Sequence, residues 1–338
     1  MVAGIEVTAH NQLVSRYVVG ALLFAALLLI SSASGAGAVW SQPRPDGLIV
    51  FSCFGCPDGG EPGSLSTIRG DGSALRKLPG TLGDAEPAWS PDGEILAVTR
   101  TDGIWLRASN GSHARRVTRR HPHGFDAGPS WSPDGKHIVF VRGTPRSAAG
   151  GVRLGLWTVG AEGGRPRPLL VEPGGESKQE WSLSNPDWSP DGRRIAFARE
   201  QERLAVIDVD GKRFRRLGPP TLRGRDPHWS PDGRRIAFLE FWESDRPNRF
   251  RILDVATGRI RTVMKSEGSV WVQSWSPDGR WLAIMATQRV ECEEVELDDD
   301  CESLALWIVN ALNARRTLIH SFGQEGGDVS GIDWRASR

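Results

Sequence analysis

The sequence predicts an all-β fold, a six-bladed β-propeller built from four-stranded antiparallel blades. Three observations carry that expectation. The pentapeptide Trp-Ser-Pro-Asp-Gly occurs five times, beginning at Trp89, Trp131, Trp188, Trp229 and Trp275. A shortened sixth copy ends the chain in "GIDWRASR", with its Trp at 334. The intervals between these tryptophans are 42, 57, 41, 46 and 59 residues, the period of a propeller, solenoid or array.

Each unit can be read strand by strand. The residues before each Trp ("EPAW", "NPDW", "DPHW") form a short first strand. Ser-Pro-Asp-Gly makes a tight turn, in which Pro presets φ, Asp bonds its own backbone and Gly accepts a positive φ. An apolar second strand follows, such as Ile195 to Ala198. Leu204 to Asp208 reads as the third strand, Asp210-Gly211 as a turn, and Arg213 to Leu217 as the fourth. Helical periodicity is missing after the N-terminus. One such sheet cannot bury both its faces, whereas radial stacking lets neighbours cover one another.

The five full motifs open five blades. The first blade starts at its second strand, with Pro45-Asp46-Gly47 as the turn and "GLIVFSC" (Gly47 to Cys53) as the strand. Leu65 to Arg69 and Leu75 to Leu78 complete it. It lacks a first strand, and the chain ends in a lone first strand, Gly331 to Trp334. The two halves complete one another, so the expectation is a ring closed by its own ends.

The N-terminus differs from the rest. Arg16 precedes fourteen uncharged residues, Tyr17 to Ile30, and small residues follow. Ala36-Gly37-Ala38 fits the cleavage pattern of a secretory signal peptide, which assigns 1–38 to the signal and 39–338 to the propeller. The alternative is a retained signal anchor, for which the apolar run is short. Either assignment places the protein outside the cytoplasm. Four cysteines fit that compartment, and of three connectivities the local pairs Cys53–Cys56 and Cys292–Cys301 are the simplest. "CFGC" has redox-motif spacing but no βαβ surroundings, and no histidine stands at zinc-ligand spacing near either pair.

With "WSPDG", an R-I-A-F strand and an R-R-L strand on the page, the chain resembles the TolB-type, WD-like propeller repeat across nearly all of its mature length. That family includes TolB itself, a protein-docking platform, and also propellers attached to prolyl oligopeptidase-type peptidases and some sugar lyases. The resemblance implies a propeller used for protein docking. The expectation is a propeller that follows the signal directly, without the α/β domain that TolB carries and without a peptidase domain after the last blade.

Function is sought first on the loops. Turns between first and second strands, and between third and fourth, share one end of the blades and are short. The other connections, including Arg142 to Val152, Val171 to Ser184, Phe241 to Arg249 and Gln288 to Glu302, are long and share the opposite end. Variable loops on a rigid scaffold are where binding concentrates. Trp181 and Trp242 lie in or near them, outside the positions the repeat demands. Glu291 to Glu302 carries eight carboxylates, among which Asp298, Asp299 and Asp300 could hold calcium, although a solvated acidic tip explains the run as well.

The axis is the second place. By the period of two, the residues one and three before each Trp share a side of the first strand. They include Glu86, Asp187, Asp226, His228 and Asp333, which converge if the first strands line the axis and would attract a cation or a basic peptide end. His121 and His123 form an isolated H-x-H in an ordinary loop. Arg193-Arg194 and Arg234-Arg235 recur with the repeat and read as solubilising strand edges. Net charge is only +1, which argues against a nucleic-acid binder. No G-x-S-x-G, H-E-x-x-H or P-loop pattern is present. The reading is therefore a monomeric, cofactor-free, non-enzymatic protein that docks a protein, peptide or envelope component, with a membrane involved only through a retained N-terminal anchor. The alternative is a hydrolase or lyase with its site at the axis.

Overall fold

The computed structural model describes residues 45–54, 63–119, 124–145, 152–171, 183, 185–199, 203–240, 248–266, 270–290, 301–322 and 328–337, all within the unit Pro45–Arg338. Every regular element there is a strand. Blade 1 holds β1 (Leu48–Phe54), β2 (Ser64–Arg69) and β3 (Arg76–Lys77). Blade 2 holds β4 (Ala85–Trp89), β5 (Ile95–Arg100), β6 (Gly103–Ala108) and β7 (Arg115–Arg116). Blade 3 holds β8 (Phe125–Trp131), β9 (His137–Pro145), β10 (Val152–Gly160) and β11 (Arg167–Val171). Blade 4 holds β12 (Asp187–Trp188), β13 (Arg194–Arg199), β14 (Arg203–Asp208) and β15 (Arg215–Arg216). Blade 5 holds β16 (Arg225–Trp229), β17 (Arg235–Glu240), β18 (Asn248–Asp254) and β19 (Ile260–Ser266). Blade 6 holds β20 (Val270–Trp275), β21 (Trp281–Val290), β22 (Cys301–Asn310) and β23 (Arg316–Ser321).

The last strand, β24 (Asp328–Arg335), pairs antiparallel with β1 and supplies the inner strand of blade 1. The inner strands touch in the order β24, β4, β8, β12, β16, β20 and back to β24. The ring is closed by the C-terminal strand, as the half-blades at the two ends of the sequence require.

The repeat's residues each have a physical task. In all five turns the Ser hydroxyl donates to the Asp carboxylate at 2.5–2.6 Å. The same hydroxyl accepts the backbone N–H five residues on at 2.9 Å, and Gly stands at φ 66–71°. The motif is thus a self-satisfied turn. Apolar side chains meet between blades: each of six clusters joins two neighbours and takes in the motif Trp of one of them. Trp89, Trp131, Trp229, Trp275 and Trp334 are buried.

In blades 3, 4 and 5 the residue that opens the second strand covers the next blade's Trp. Arg194 stacks on Trp229 at 4.9 Å, Arg235 on Trp275 at 4.8 Å, and the His137 ring lies 6.5 Å from that of Trp188. Blade 1 uses Arg335, 4.5 Å above Trp89. This corrects the solubility reading of the Arg pairs. Arg193 and Arg234 are exposed, but Arg194 and Arg235 are packing residues between blades, held by cation–π contact.

The structure also shortens two expected loops. β9 and β10 pair from Val152↔Pro145 to Gly160↔His137, and β21 and β22 from Val290↔Cys301 to Trp281↔Asn310. These hairpins, of nine and ten residues per strand, extend beyond the six-residue strands of blades 2 and 4. They belong to blades 3 and 6, three places apart and therefore on opposite sides of the ring.

Candidate functional site: the acidic axis

The inner strands do not run straight. A bulge interrupts β4 between Ala85 and Ala88, β8 between Ala127 and Ser130, and β16 between Arg225 and His228. At each bulge a residue preceding Pro adopts positive φ: Glu86 at 47°, Gly128 at 61° and Asp226 at 50°. A left-handed backbone costs a non-glycine residue about 1–2 kcal/mol, and such strain is concentrated where a side chain must be re-aimed. Here the three bulges face one place.

That place is a cavity of about 180 Å³ bordered by Glu86, Asp187, Asp226, His228 and Asp333, with Gly128, Asn185 and Gly331 between them. The five side chains that the sequence reading grouped at the axis thus border one cavity. Gly331 is demanded by packing, because a Cβ there would lie 2.5 Å from Glu86 Cα. The cavity is smaller than the ~300–1,000 Å³ usual for small-molecule sites, and suits a side-chain head rather than a large substrate.

The hydrogen bonds reveal a two-fold pattern that the sequence hides. Asp333 accepts from Trp89 N at 2.7 Å in the following blade and from Ser274 Oγ at 3.1 Å in the preceding one. Asp187, three blades away, accepts from Trp229 N at 2.7 Å and from Ser130 Oγ at 3.1 Å. Trp131 Nε1 donates to Ala88 O at 3.1 Å, and Trp275 Nε1 to His228 O at 2.9 Å. Asp187 and Asp333 are thus clasps that each tie three blades. Their first role is structural, and their carboxylates already hold partners.

Removal from water sets the protonation of this ring. Burial pushes the Asp187 carboxyl up to about 7, against the hydrogen bonds from Trp229, Ser130 and Trp188. Burial likewise raises Asp333 and Glu86, although Glu86 accepts Thr99 Oγ1 and Gly128 N, both at 2.7 Å. Burial lowers His228, partly offset by the charges of Asp333 and Asp226. The two-fold pattern breaks at this residue: His228 stands where blade 2 has Ala88.

A second set of carboxylates was missed in the sequence. Asp84 meets Arg100 Nε at 2.5 Å and the Arg107 guanidinium, and Asp126 holds Arg142 bidentately at 2.6 and 2.7 Å. Asp84 and Asp126 are buried. Asp and Arg stand 16 residues apart in both pairs, and that common offset was the available signal. These pairs tie the entry of the inner strand to the end of the second strand.

Other expected site residues fall elsewhere. Trp181, Trp242, Asp298, Asp299, Asp300, Cys56 and Cys292, with His121 and His123, lie outside the described residues. Cys53 is buried in β1, and Cys301 opens β22. Among the described residues no three His, Cys, Asp or Glu side chains stand within reach of one metal ion.

No family model matches the chain, and no curated protein matches it significantly in sequence. Solved structures do match in fold. TolB from Acinetobacter baumannii aligns with a TM-score of 0.63 at 18% identity, covering 85% of this chain. The chain spans 66% of that TolB's length. A putative TolB from Agrobacterium tumefaciens aligns at 0.57 and 16% identity, covering 87% of this chain and 99% of the other. An oligogalacturonate lyase in complex with manganese aligns at 0.53 and 14% identity, covering 80% of this chain and 77% of the lyase. Six four-stranded blades, closure by the last strand and these alignments together make the chain a TolB-like β-propeller.

Proposed function

We propose that this protein is a non-enzymatic, extracytoplasmic docking propeller that seats a protein or peptide on its long-loop face. The observation that carries this reading is the placement of the two longest hairpins, β9/β10 and β21/β22, on opposite blades. Both extend from the end where the inner strands begin, and the acidic cavity lies on the axis of that ring. A rigid scaffold with projecting strands and a small polar hollow fits a macromolecular partner better than a diffusible substrate. The TolB fold is consistent with such a role, while the lyase neighbour reminds us that the same fold also carries catalysis. The export reading of residues 1–38 supplies the compartment, and pairs Cys53–Cys56 and Cys292–Cys301 would suit it.

The test is a pull-down from the native envelope with the propeller as bait, followed by titration of the recovered partner. Trp242→Ala or Trp181→Ala should weaken binding at least about fivefold, as truncation of an anchor aromatic does. Arg193→Glu and Arg234→Glu, on the opposite face, should leave this affinity unchanged. Loss through the Arg variants with both Trp variants unaffected would place the partner on the other face. Turnover of an oligosaccharide or peptide abolished by His228→Ala would favour the enzyme reading instead.

A further inference from the structure

The net charge of +1 conceals an uneven distribution of charge. Carboxylates gather at the axis, while basic residues gather on the tight-turn end of four consecutive blades. An inner arc is formed by the residue that follows Ser-Pro-Asp-Gly: Lys136, Arg193, Arg234 and Arg280, all exposed. An outer arc comes from the turns between third and fourth strands of the same blades: Arg165, Arg213, Arg259 and Arg315, also exposed. Between the bounding strands, the turns of blades 3 to 6 at this end hold nine Lys or Arg against six Asp or Glu. In blade 2 the inner-arc position is Glu94, so the basic sector stops there.

The geometry of this end is also distinctive. Every turn on it is short, so no loop stands proud of it. The four acids of the inner arc are spent on their own turns, as Asp134 shows: it accepts from Ser132 Oγ and Lys136 N, which hold its carboxyl below the usual range. The described chain begins at Pro45, in the first blade's equivalent of this turn. There Gly47 packs on Trp334, and Arg335 lies beside Gly93 of the neighbouring turn. The covalent connection to residues 1–44, with their uncharged run Tyr17 to Ile30, therefore leaves from this same end.

We infer that the tight-turn face of blades 3 to 6 docks on an anionic phospholipid surface, leaving the long-loop face turned to solution for its partner. The inference goes beyond the docking function and takes the retained-anchor alternative for residues 1–38, in which the run Tyr17 to Ile30 stays attached to the propeller. A flat sector of Lys and Arg matches a flat field of phosphates. Each basic residue near such a surface adds about 1 kcal/mol, and a single apolar tether gains stability from a polybasic patch as second signal.

Vesicle co-sedimentation of the full chain tests it. Vesicles of zwitterionic lipid alone are compared with vesicles containing 30% anionic phospholipid, a composition of the order used to mimic anionic leaflets. The apolar run contributes to both, so the ratio of the two partition coefficients reads the electrostatic part. That ratio is expected to exceed about tenfold at low salt and to collapse as salt rises above roughly 0.3 M, where screening is short-ranged. The variant Arg193→Glu/Arg213→Glu/Arg234→Glu/Arg315→Glu should bring the ratio to about one. A control of equal charge change on the other face, Arg119→Glu/Arg153→Glu/Arg203→Glu/Arg223→Glu, should keep most of it. Equal loss in both variants, or a wild-type ratio near one, overturns the inference. Binding to a soluble anionic polysaccharide with the same variant dependence, and no preference for anionic vesicles, would also overturn it and assign the face to a polymer. The salt titration of the wild type needs no variant to fold, and failure here leaves the partner titration on the opposite face unaffected.

Discussion

Removing Trp334 probes ring closure, because this one side chain joins both ends of the chain. Trp334 is 5% exposed and belongs to the cluster between blades 6 and 1. Its indole N–H donates to Asp46 O at 3.2 Å, and its backbone stands opposite Ile49. Truncating a buried Trp to Ala costs about 3–5 kcal/mol, and loss of the indole hydrogen bond adds about 1 kcal/mol. A fold of roughly 290 residues should then melt about 7–10 °C lower, from an unfolding entropy of about 2.1 cal/mol/K per residue. Deleting 331–338 should cost more. It also removes Ile332, the Asp333 clasp and the Arg335 lid over Trp89, and it exposes one edge of β1.

Thermal denaturation followed by circular dichroism reads the first effect, and sedimentation velocity reads edge-to-edge association of the truncated ring. A truncated chain that melts with the wild type and stays monomeric would refute the closure argument. A Trp334→Ala variant losing less than about 1 kcal/mol would show that blade 6 and blade 1 are held mainly by their other contacts.

Asp187 gives a pH prediction. Its carboxyl titrates near 7 in the fold against 3.8 ordinarily, so between these values the native state keeps a proton that the unfolded chain has released. Stability from this group therefore falls as pH rises through that window and is level above it. Asp187→Asn should remove the slope: its melting temperature relative to wild type should climb by several degrees from pH 4.5 to 7.5, and a constant difference would contradict the burial argument. Ser276→Ala removes a hydroxyl that donates to Asp278 and accepts Trp281 N, and should cost about 1–2 kcal/mol in chemical denaturation. An unchanged midpoint would mean that Pro and Gly alone set the turn. Non-reducing peptide mapping of protein from its native compartment should yield Cys53–Cys56 and Cys292–Cys301, and crossed links or four thiols would disprove the local pairing.

The division between what could and could not be read in advance follows the range of the interactions. Strand order, the turn chemistry and closure were legible because each is local or repeated: five copies of one turn give the period, and a missing first strand at one end matches a spare one at the other. The axial residues were legible for the same reason, since a period of two places Glu86, Asp187, Asp226, His228 and Asp333 on one side of equivalent strands. What escaped was every feature that depends on a neighbour in space. Arg194 and Arg235 look like surface residues in the sequence, and only the next blade supplies the Trp beneath them. The bulges at Glu86 and Asp226 left no mark except Pro one residue later, because positive φ at an acid is dictated by packing around the axis.

The same distinction separates lining from function at the axis. Sequence reasoning grouped Asp187 and Asp333 with Asp226 and His228 as one set of acids and a base. The structure divides them. The first two are bound to the inner strands on either side, in matching geometry three blades apart. A pattern that repeats with the fold serves the fold. Function is then to be sought where the two-fold pattern fails, and that leads to His228. Blade 2 fills the same position with Ala88, and the imidazole feels both Asp226 and Asp333. His228→Ala would give blade 5 the residue of blade 2 and keep the hydrogen bonds of both clasps, removing only the imidazole's electrostatic contact with Asp333 and Asp226. If the axis serves only to hold the blades, this variant should fold and bind like the wild type. If a partner inserts a side chain there, affinity should fall while the melting temperature holds.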